Sequence, residues 1–575
     1  MSNEAEKAAE IANEKLYTAI DNHESFIFEA GPGAGKTYSL HKSLDYIIKK
    51  YSEDIKNNHQ KIACISFTNT AVDEIKDRVE KNPLIDPNTI HGFCWNFMNG
   101  YQKEIRNIIS NEEKWRKKIE ETEIEIKKQK ILYETGNKRE ITEKEIHLTH
   151  NDIPLIFSKL CKYTKFCAIL INNYPFLFID EYQDTNKYFV NSLIEAYEST
   201  KNSSIIGLFG DHWQAIYDND TCGKITDKRL KIINKEANFR SYTNIVEFLN
   251  KLRPKLIQYP NKQKKGLIKV YHTNSWDGKR KGGSQWKGEL QDEERIKYFK
   301  IVKKRFSSEC KNASDGKILI LTHKLLSSYQ NYENILKSFR FNDNVIKKEN
   351  EYISFLIDLE NMIEYYDNNK YAEFFQLNNI KISSIDDKKL IKTEIESIKN
   401  MRKNKTIGEV IEHLKSCKKI KLNPKIEKLE NKLNKYLKNE EEHNRQFDEI
   451  VKLKEVQYNE IPPLKEYIEE HTPFSTQHNV KGEEYENILA VFGKGWNKYN
   501  FNEMIENIGT DNNDNKFIQS RNLFYVCVSR AICNLHILFT EKLSEKSLNK
   551  IKDMVGEENV IDIVNENNDM SSNIK

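Results

Sequence analysis

The stretch that most constrains the fold is Phe26 to Leu40, FIFEAGPGAGKTYSL. Its apolar opening, Phe26-Ile27-Phe28, predicts a buried strand. Gly31, Pro32, Gly33, Ala34 and Gly35 then form a loop, and Lys36-Thr37 opens a helix. Strand, glycine-rich loop and helix in that order are the setting a phosphate-binding loop needs. Glycines let the backbone turn tightly and aim several N–H groups at one anion, and the helix adds its positive end. In such a loop Lys36 reaches the β- and γ-phosphates and the Thr37 hydroxyl can ligand Mg²⁺. Ala30 stands where the strict pattern has glycine, six residues before Lys36. The bland alternative is a glycine turn that merely precedes Lys-Thr.

A chain of 575 residues is too long for one core and suggests roughly three or four domains. Lys+Arg number 91 against 87 Asp+Glu, a net charge of only +4, so any nucleic-acid contact comes from local patches rather than a polybasic whole. An apolar run of about 18 residues is missing, and Met1 to Ile20 lacks a signal-peptide pattern. The expectation is a cytoplasmic protein with no membrane segment. The nine cysteines are scattered without a CxxC pair, which argues against zinc-ribbon or iron–sulfur chemistry and for reduced core thiols.

Along the chain, residues 4–22 read as a helix, Tyr38 to Tyr51 as another, and Ile62 to Ile65 as a second strand running into SFTNTAVDEIKDRVE. Alternating strands and helices predict an open parallel sheet with ligands at the carboxyl ends of its strands. Tyr101 to Leu148 is highly charged and reads as a solvated helical insertion, with Lys114, Arg116, Lys117 and Lys118 as candidates for phosphate contacts. Pro175 to Ile179 restores the sheet pattern, and Ile205 to Phe209 repeats it before GDHWQAIYD. EANFRSYTNIVEFLN reads as a loop entering a helix. A second sheet begins near Ile268 to Tyr271, a helix follows from about Asp292 to Phe306, and Lys317 to Thr322 is a strand. Residues 332–470 read as charged helices, the α/β pattern resumes at Pro473, and the tail after Asn559 reads as polar and frayed.

The chemistry-bearing residues cluster at predicted strand tips. Asp180-Glu181 follows five apolar residues; Asp180 suits Mg²⁺, often through water, and Glu181 suits a general base that polarises attacking water. The alternative for this pair is a helix cap. Gln214 is a candidate γ-phosphate sensor or an ordinary loop amide. Arg240 and Arg530 offer planar guanidinium groups for the charge that develops on phosphoryl oxygens.

The blocks AGPGAGKT, FTNTA, TIHGF, DEYQDTN, GDHWQAIY, NFRS, TQHNVKGEEYENI and YVCVSRA occur in that order across nearly the whole chain. In this the chain resembles superfamily 1A DNA helicases of the UvrD/Rep/PcrA type. The resemblance implies an α/β protein with two RecA-like P-loop NTPase domains, parallel sheets flanked by helices, each with a mainly helical insertion. The implied division is domain 1A at 1–98 and 169–240, insertion 1B at 99–168, domain 2A at 241–331 and 471–575, and insertion 2B at 332–470. It further implies ATP with Mg²⁺ as cofactors. Lys36, Thr37, Asp180, Glu181, Gln214 and Arg240 surround the triphosphate, Arg530 serves as the finger from the second domain, and Gly482 and Glu484 lie near the ribose and γ-phosphate. Tyr38 replaces the usual arginine after the phosphate-loop threonine, Phe239 replaces the usual tyrosine and can stack on adenine, and Leu16 stands where the family has an adenine-reading glutamine.

Phe67, Thr68, Asn69, Thr89, His91, Tyr217 and His478 match strand-contact positions, with bases stacking on aromatic rings. Read from the residues alone, the alternative for Phe67 and Tyr217 is core packing, and for His91 and His478 a hydrogen-bonded loop role. Asn219 stands where the family commonly stacks a tryptophan. The implied activity is ATP-dependent 3′→5′ translocation on single-stranded DNA and unwinding of tailed double-stranded DNA. The 2B insertion is shorter than usual, so strong processive unwinding is not assured by the resemblance, and the short stretch after Thr540 argues against a fused nuclease. The compact architecture also resembles the UvrD-like subunit of the Gabija antiphage defence system, which works beside an OLD-type nuclease. That second likeness implies a DNA-stimulated ATPase that senses DNA and regulates a partner nuclease.

Overall fold

The computed structural model describes residues 3–566 apart from 80–81, 134–138, 200–202, 218–219, 310–315, 322, 379, 381, 439–443, 478–479, 495–496 and 511. In chain order its strands are β1 (Phe26–Ala30), β2 (Ile62–Ser66), β3 (Ile85–Thr89), β4 (Lys130–Tyr133), β5 (Glu140–Ile141), β6 (Glu145–Leu148), β7 (Phe176–Asp180), β8 (Ile205–Gly210) and β9 (Lys231–Lys235). There follow β10 (Ala237–Tyr242), β11 (Tyr259–Lys262), β12 (Leu267–His272), β13 (Gly316–Ile320), β14 (Phe474–Thr476), β15 (Tyr485–Phe492), β16 (Ala531–Phe539) and β17 (Val560–Asp562).

The first sheet has the order β3-β2-β7-β8-β1-β9, and every pairing in it is parallel. FIFEA, IACIS and FLFID are buried at every position, as strands covered on both faces must be. Phe26, Phe28, Phe178 and Phe209 pack on one face, with the helix Lys36–Asn57. Ile27, Ile179, Ile206 and Leu208 pack on the other, with the first insertion. The second sheet, β14-β13-β15-β16-β12-β17, is likewise parallel throughout, and its core runs on into the helices of residues 332–470.

Three expectations need correction. The first insertion is not helical throughout Tyr101 to Leu148: β4, β6 and β5 form a small sheet there, and Trp115 lies buried inside it. Charge-rich composition hid this because the apolar residues Trp115, Ile131, Ile141 and Ile146 are few and widely spaced. NFRS lies on a strand rather than a loop, since β10 pairs with β11 immediately before the helix Thr243–Leu252. Residues Val560 to Asp562 are no frayed tail; they add β17 to the edge of the second sheet, in register with Val270 to His272.

β10 follows β9 after one intervening residue and carries the chain from one sheet to the other. The Ser241 hydroxyl donates to the Ala531 carbonyl at 2.7 Å, tying that crossing to the start of β16. The carboxyl ends of β1, β7 and β8 therefore face a cleft whose far wall is the second sheet.

Candidate nucleotide and nucleic-acid site

Where the buried run of β1 ends, Gly33 (φ 72°) and Gly35 (φ 74°) adopt left-handed backbone conformations. A Cβ at Gly33 would lie 2.6 Å from the Cβ of Arg240. The helix Lys36–Asn57 starts from Gly35 with no side-chain cap, so its first N–H groups are left for an anion. The loop is braced from outside. The Phe239 N–H donates to the Gly33 carbonyl at 2.8 Å. Asn238 Nδ2 and Gln258 Nε2 donate to the Pro32 carbonyl at 3.1 and 3.3 Å. Lys235 Nζ donates to the Gly35 carbonyl at 3.0 Å and to Ser39 Oγ at 2.8 Å. Ala30 and Ala34 are buried beneath the turn.

β7 carries Asp180 and Glu181 to the same point. Lys36 Nζ lies 3.2 Å from Asp180 Oδ1 and also pairs with Glu181. Burial opposes the ammonium charge, but the two carboxylates outweigh it and hold Lys36 above its ordinary value. Burial pushes Asp180 up against the pull of Lys36. At Glu181 burial is overcome by Lys36 and Lys481, which bring the carboxyl down to about 2. Glu181 is also one of the few non-glycine residues with positive φ, at 51°, a costly conformation that the surrounding contacts must impose.

The third group stands across the cleft. Gln214, at the end of the short 3₁₀ turn after β8, accepts at Oε1 from Arg530 Nη2 at 3.0 Å. Arg530 is fully buried; its Nε donates to the Val526 carbonyl at 3.0 Å and its Nη1 to the Glu483 carbonyl at 3.2 Å. Burial and the neighbouring Arg240 lower its guanidinium to about 9, so it stays charged at neutral pH. Arg240 Nε donates to Glu484 Oε2 at 2.7 Å, and Gly482, two residues before Glu484, has φ 91°.

These residues fit a triphosphate and a hard divalent cation. The uncapped helix and the two left-handed glycines form an anion cradle. A cation, the Lys36 ammonium, already bridges the two acids. The Asp180 carboxylate and the half-buried Thr37 hydroxyl are the oxygen donors that suit Mg²⁺. Bound there, the metal would neutralise phosphate charge. Tyr38 is 54% exposed and Phe239 37% exposed, and both rings lie about 6 Å from Lys235 Nζ, at 5.8 and 6.0 Å. They offer flat apolar faces beside the loop. Leu16 is buried in the core and presents no polar edge there.

Residues 13–220 match the AAA domain family. The chain is 28% identical to the Gabija protein GajB of Bacillus cereus (strain HuB5-5), over 94% of this chain and 96% of that protein. The fold is that of an α/β P-loop NTPase. In this NTPase the remaining motif residues stand at and just beyond the carboxyl ends of β2, β3 and β8 of the first sheet. Phe67 and Tyr217 are 46% and 41% exposed, and their rings stack at 6.2 Å and 14°; neither is core packing. Thr68 and Thr89 each cap a helix, accepting from Ala71 N–H and Gly92 N–H at 3.2 Å, while Asn69 is exposed at the first position of its helix. His91 stacks on His150 of the first insertion at 3.3 Å, and burial with His150 nearby lowers its pKa to about 4. His478 and Asn219 lie outside the described residues.

Three residues of the site escaped sequence reasoning. Lys481 crosses the cleft to pair with Asp184 and donates to the Gln214 carbonyl; its place directly before Gly482 in a recognised block was the available signal. Lys235 and Arg253 carried none, each being one basic residue among 91. No helix among the described residues is long and apolar enough to cross a membrane.

Proposed function

We propose that this NTPase is an ATP-driven motor on DNA, translocating 3′→5′ along a single strand and separating tailed duplexes. The observation that carries the reading is the composite site. Lys36, Asp180 and Glu181 gather at the carboxyl ends of the first sheet, and Arg530, directly before β16 of the second, bonds Gln214 in the turn after β8 of the first. Hydrolysis that needs groups from both walls is coupled to the distance between those walls. We take the two sheets as motor domains, 1–98 with 169–240 and 241–331 with 471–575, bearing insertions at 99–168 and 332–470.

In this reading the phosphates entering the loop draw Lys36 away from Glu181, which frees that carboxylate to accept a proton from water. Arg530 and Arg240 meet the charge developing on the γ-phosphoryl oxygens. Asp180 and Thr37 would hold Mg²⁺, which would supply further neutralisation. Strand bases stack on Phe67 and Tyr217, with Thr68, Asn69, Thr89 and His91 along the same path, and the UvrD resemblance adds His478 to the strand contacts. Polarity follows the UvrD resemblance.

A second reading is favoured by the likeness to GajB along nearly the full length of both chains: a DNA-stimulated ATPase that senses DNA and regulates a nuclease partner of OLD type in an antiphage complex. Steady-state ATPase with and without single-stranded DNA, beside unwinding of a 3′-tailed duplex, separates the two. Stimulated hydrolysis with unwinding supports the motor acting alone. Stimulated hydrolysis without unwinding supports the partnered sensor. A wild-type chain that hydrolyses no ATP in either condition contradicts both.

A further inference from the structure

A buried charged chain runs from the root of the phosphate loop to Arg530, and its centre is Arg253. Arg253 Nη2 donates to Glu29 Oε1 at 2.9 Å, and Nη1 donates to Asp211 Oδ1 at 2.7 Å. Asp211 Oδ2 accepts from Gln214 Nε2 at 2.9 Å, and Gln214 Oε1 accepts from Arg530 Nη2 at 3.0 Å. Glu29 stands on β1 directly before Ala30; Asp211 directly follows β8; Arg253 caps the helix Thr243–Leu252, which follows the crossing strand β10. Arg253 and Asp211 are 2% and 1% exposed.

Glu29, Asp211 and His212 bring acceptor atoms within 4.8 Å of one another, a spacing that would suit a metal. The guanidinium already stands among them, bonded to two of the three, and Glu29 is completed by His212 Nδ1 and the Tyr182 hydroxyl. The cluster is therefore an ion-pair junction. Arg253 also lies 5.2 Å from the ring of Trp213, whose edge meets Tyr525 at 5.3 Å. Tyr525 belongs to the helix Asn515–Val528, which ends just before Arg530.

A buried ion pair is poor evidence of net stability, because desolvation offsets the attraction. Its geometry is informative instead. An amide has one donor end and one acceptor end. With Asp211 fixed as an acceptor, Gln214 must turn its NH₂ towards that carboxylate and its oxygen towards Arg530. Without Arg253, Asp211 loses the guanidinium that fixes Oδ1, and the carboxylate is free to turn Oδ2 away from Gln214. The Gln214 amide then loses the acceptor that anchors its Nε2, and its oxygen is no longer held in place for Arg530, whose Nη2 otherwise has Ser529 Oγ as a side-chain acceptor.

We propose that Arg253 is a positioning residue for Arg530, acting through Asp211 and the orientation of the Gln214 amide. The proposal rests on the reading that Arg530 acts on the nucleotide.

The test is a kinetic cycle on the full chain with Arg253→Met, Gln214→Ala, the double variant and Arg530→Ala, measuring kcat, KM for ATP and affinity for a fluorescent ATP analogue. Arg253→Met should lower kcat by about a hundredfold, the order that a misplaced group costs, with analogue affinity within twofold of wild type. The double variant should be no slower than Gln214→Ala alone, since both remove one path, and Arg253→Lys should recover part of kcat by restoring a cation to Asp211. Unchanged kcat in Arg253→Met, or losses that multiply in the double variant, would overturn the proposal. If Arg253→Met does not fold, Arg253→Lys and Glu29→Gln carry the same cycle with Gln214→Ala. An Arg530→Ala variant that hydrolyses ATP at the wild-type rate sinks the underlying reading; a dead Arg530→Ala beside a fully active Arg253→Met sinks only the positioning role.

Discussion

The Gln214 side-chain oxygen accepts from Arg530 at 3.0 Å, joining residues 316 positions apart on opposite walls of one cleft. Lys481 makes a second crossing to Asp184 and to the Gln214 carbonyl. Both cross-links converge on the turn after β8, so that turn registers how closely the two sheets approach.

Glu181→Gln should keep nucleotide binding and lose hydrolysis. The amide cannot accept the water proton, and general-base contributions run to about 10²–10⁴-fold. Lys36, freed of one carboxylate, remains available to phosphate. A fluorescent-nucleotide titration beside a phosphate-release assay checks this; hydrolysis within tenfold of wild type would remove Glu181 from the role.

Lys235→Met should raise KM for ATP more than it lowers kcat. The substitution deletes two hydrogen bonds that brace Gly35 and Ser39, each contributing about 1 kcal/mol. Burial brings this amine down to about 8; above that value it keeps N–H donors but loses the positive charge beside the phosphate loop, so the wild-type KM should itself rise as pH climbs past it. A KM profile from pH 7 to pH 9 on both proteins reads the effect.

Phe67→Ala and Tyr217→Ala should each raise the single-stranded DNA concentration needed for half-maximal ATPase stimulation. Loss of one base-stacking platform costs about 1–3 kcal/mol, so a shift of about fivefold or more is expected. Stimulation curves that overlay wild type would exclude the stacked pair from the strand path.

His91 sets an acid-side penalty. Its folded pKa, about 4, lies below the ordinary histidine value, so between about pH 6.5 and pH 4 the unfolded chain binds a proton that the folded chain does not. Stability from this group is present above that window and declines as pH falls through it. Urea midpoints at pH 7 and pH 5 should therefore drop further for wild type than for His91→Gln. Equal drops would show that His91 does not titrate in that window.

What the sequence alone determined is local. FIFEA, IACIS and FLFID are too apolar for anything but buried strands, and glycine spacing with Lys36-Thr37 specifies a phosphate loop whatever surrounds it. The acids Asp180 and Glu181 at the end of FLFID and just past it needed only their strand to reach its tip. Sparse signals failed first: the small sheet of the first insertion rests on a few apolar residues among charges, and β17 on a three-residue edge. Tertiary structure alone decided which distant groups meet. Strand order puts β8 between β7 and β1, and β10 then carries the chain across to the second sheet. Only that arrangement brings Arg253 to Glu29 and Asp211, Lys481 to Asp184 and Lys235 beneath Gly35. Their partners are far away in sequence, and a single charged residue has no periodicity to announce where its counter-charge will lie.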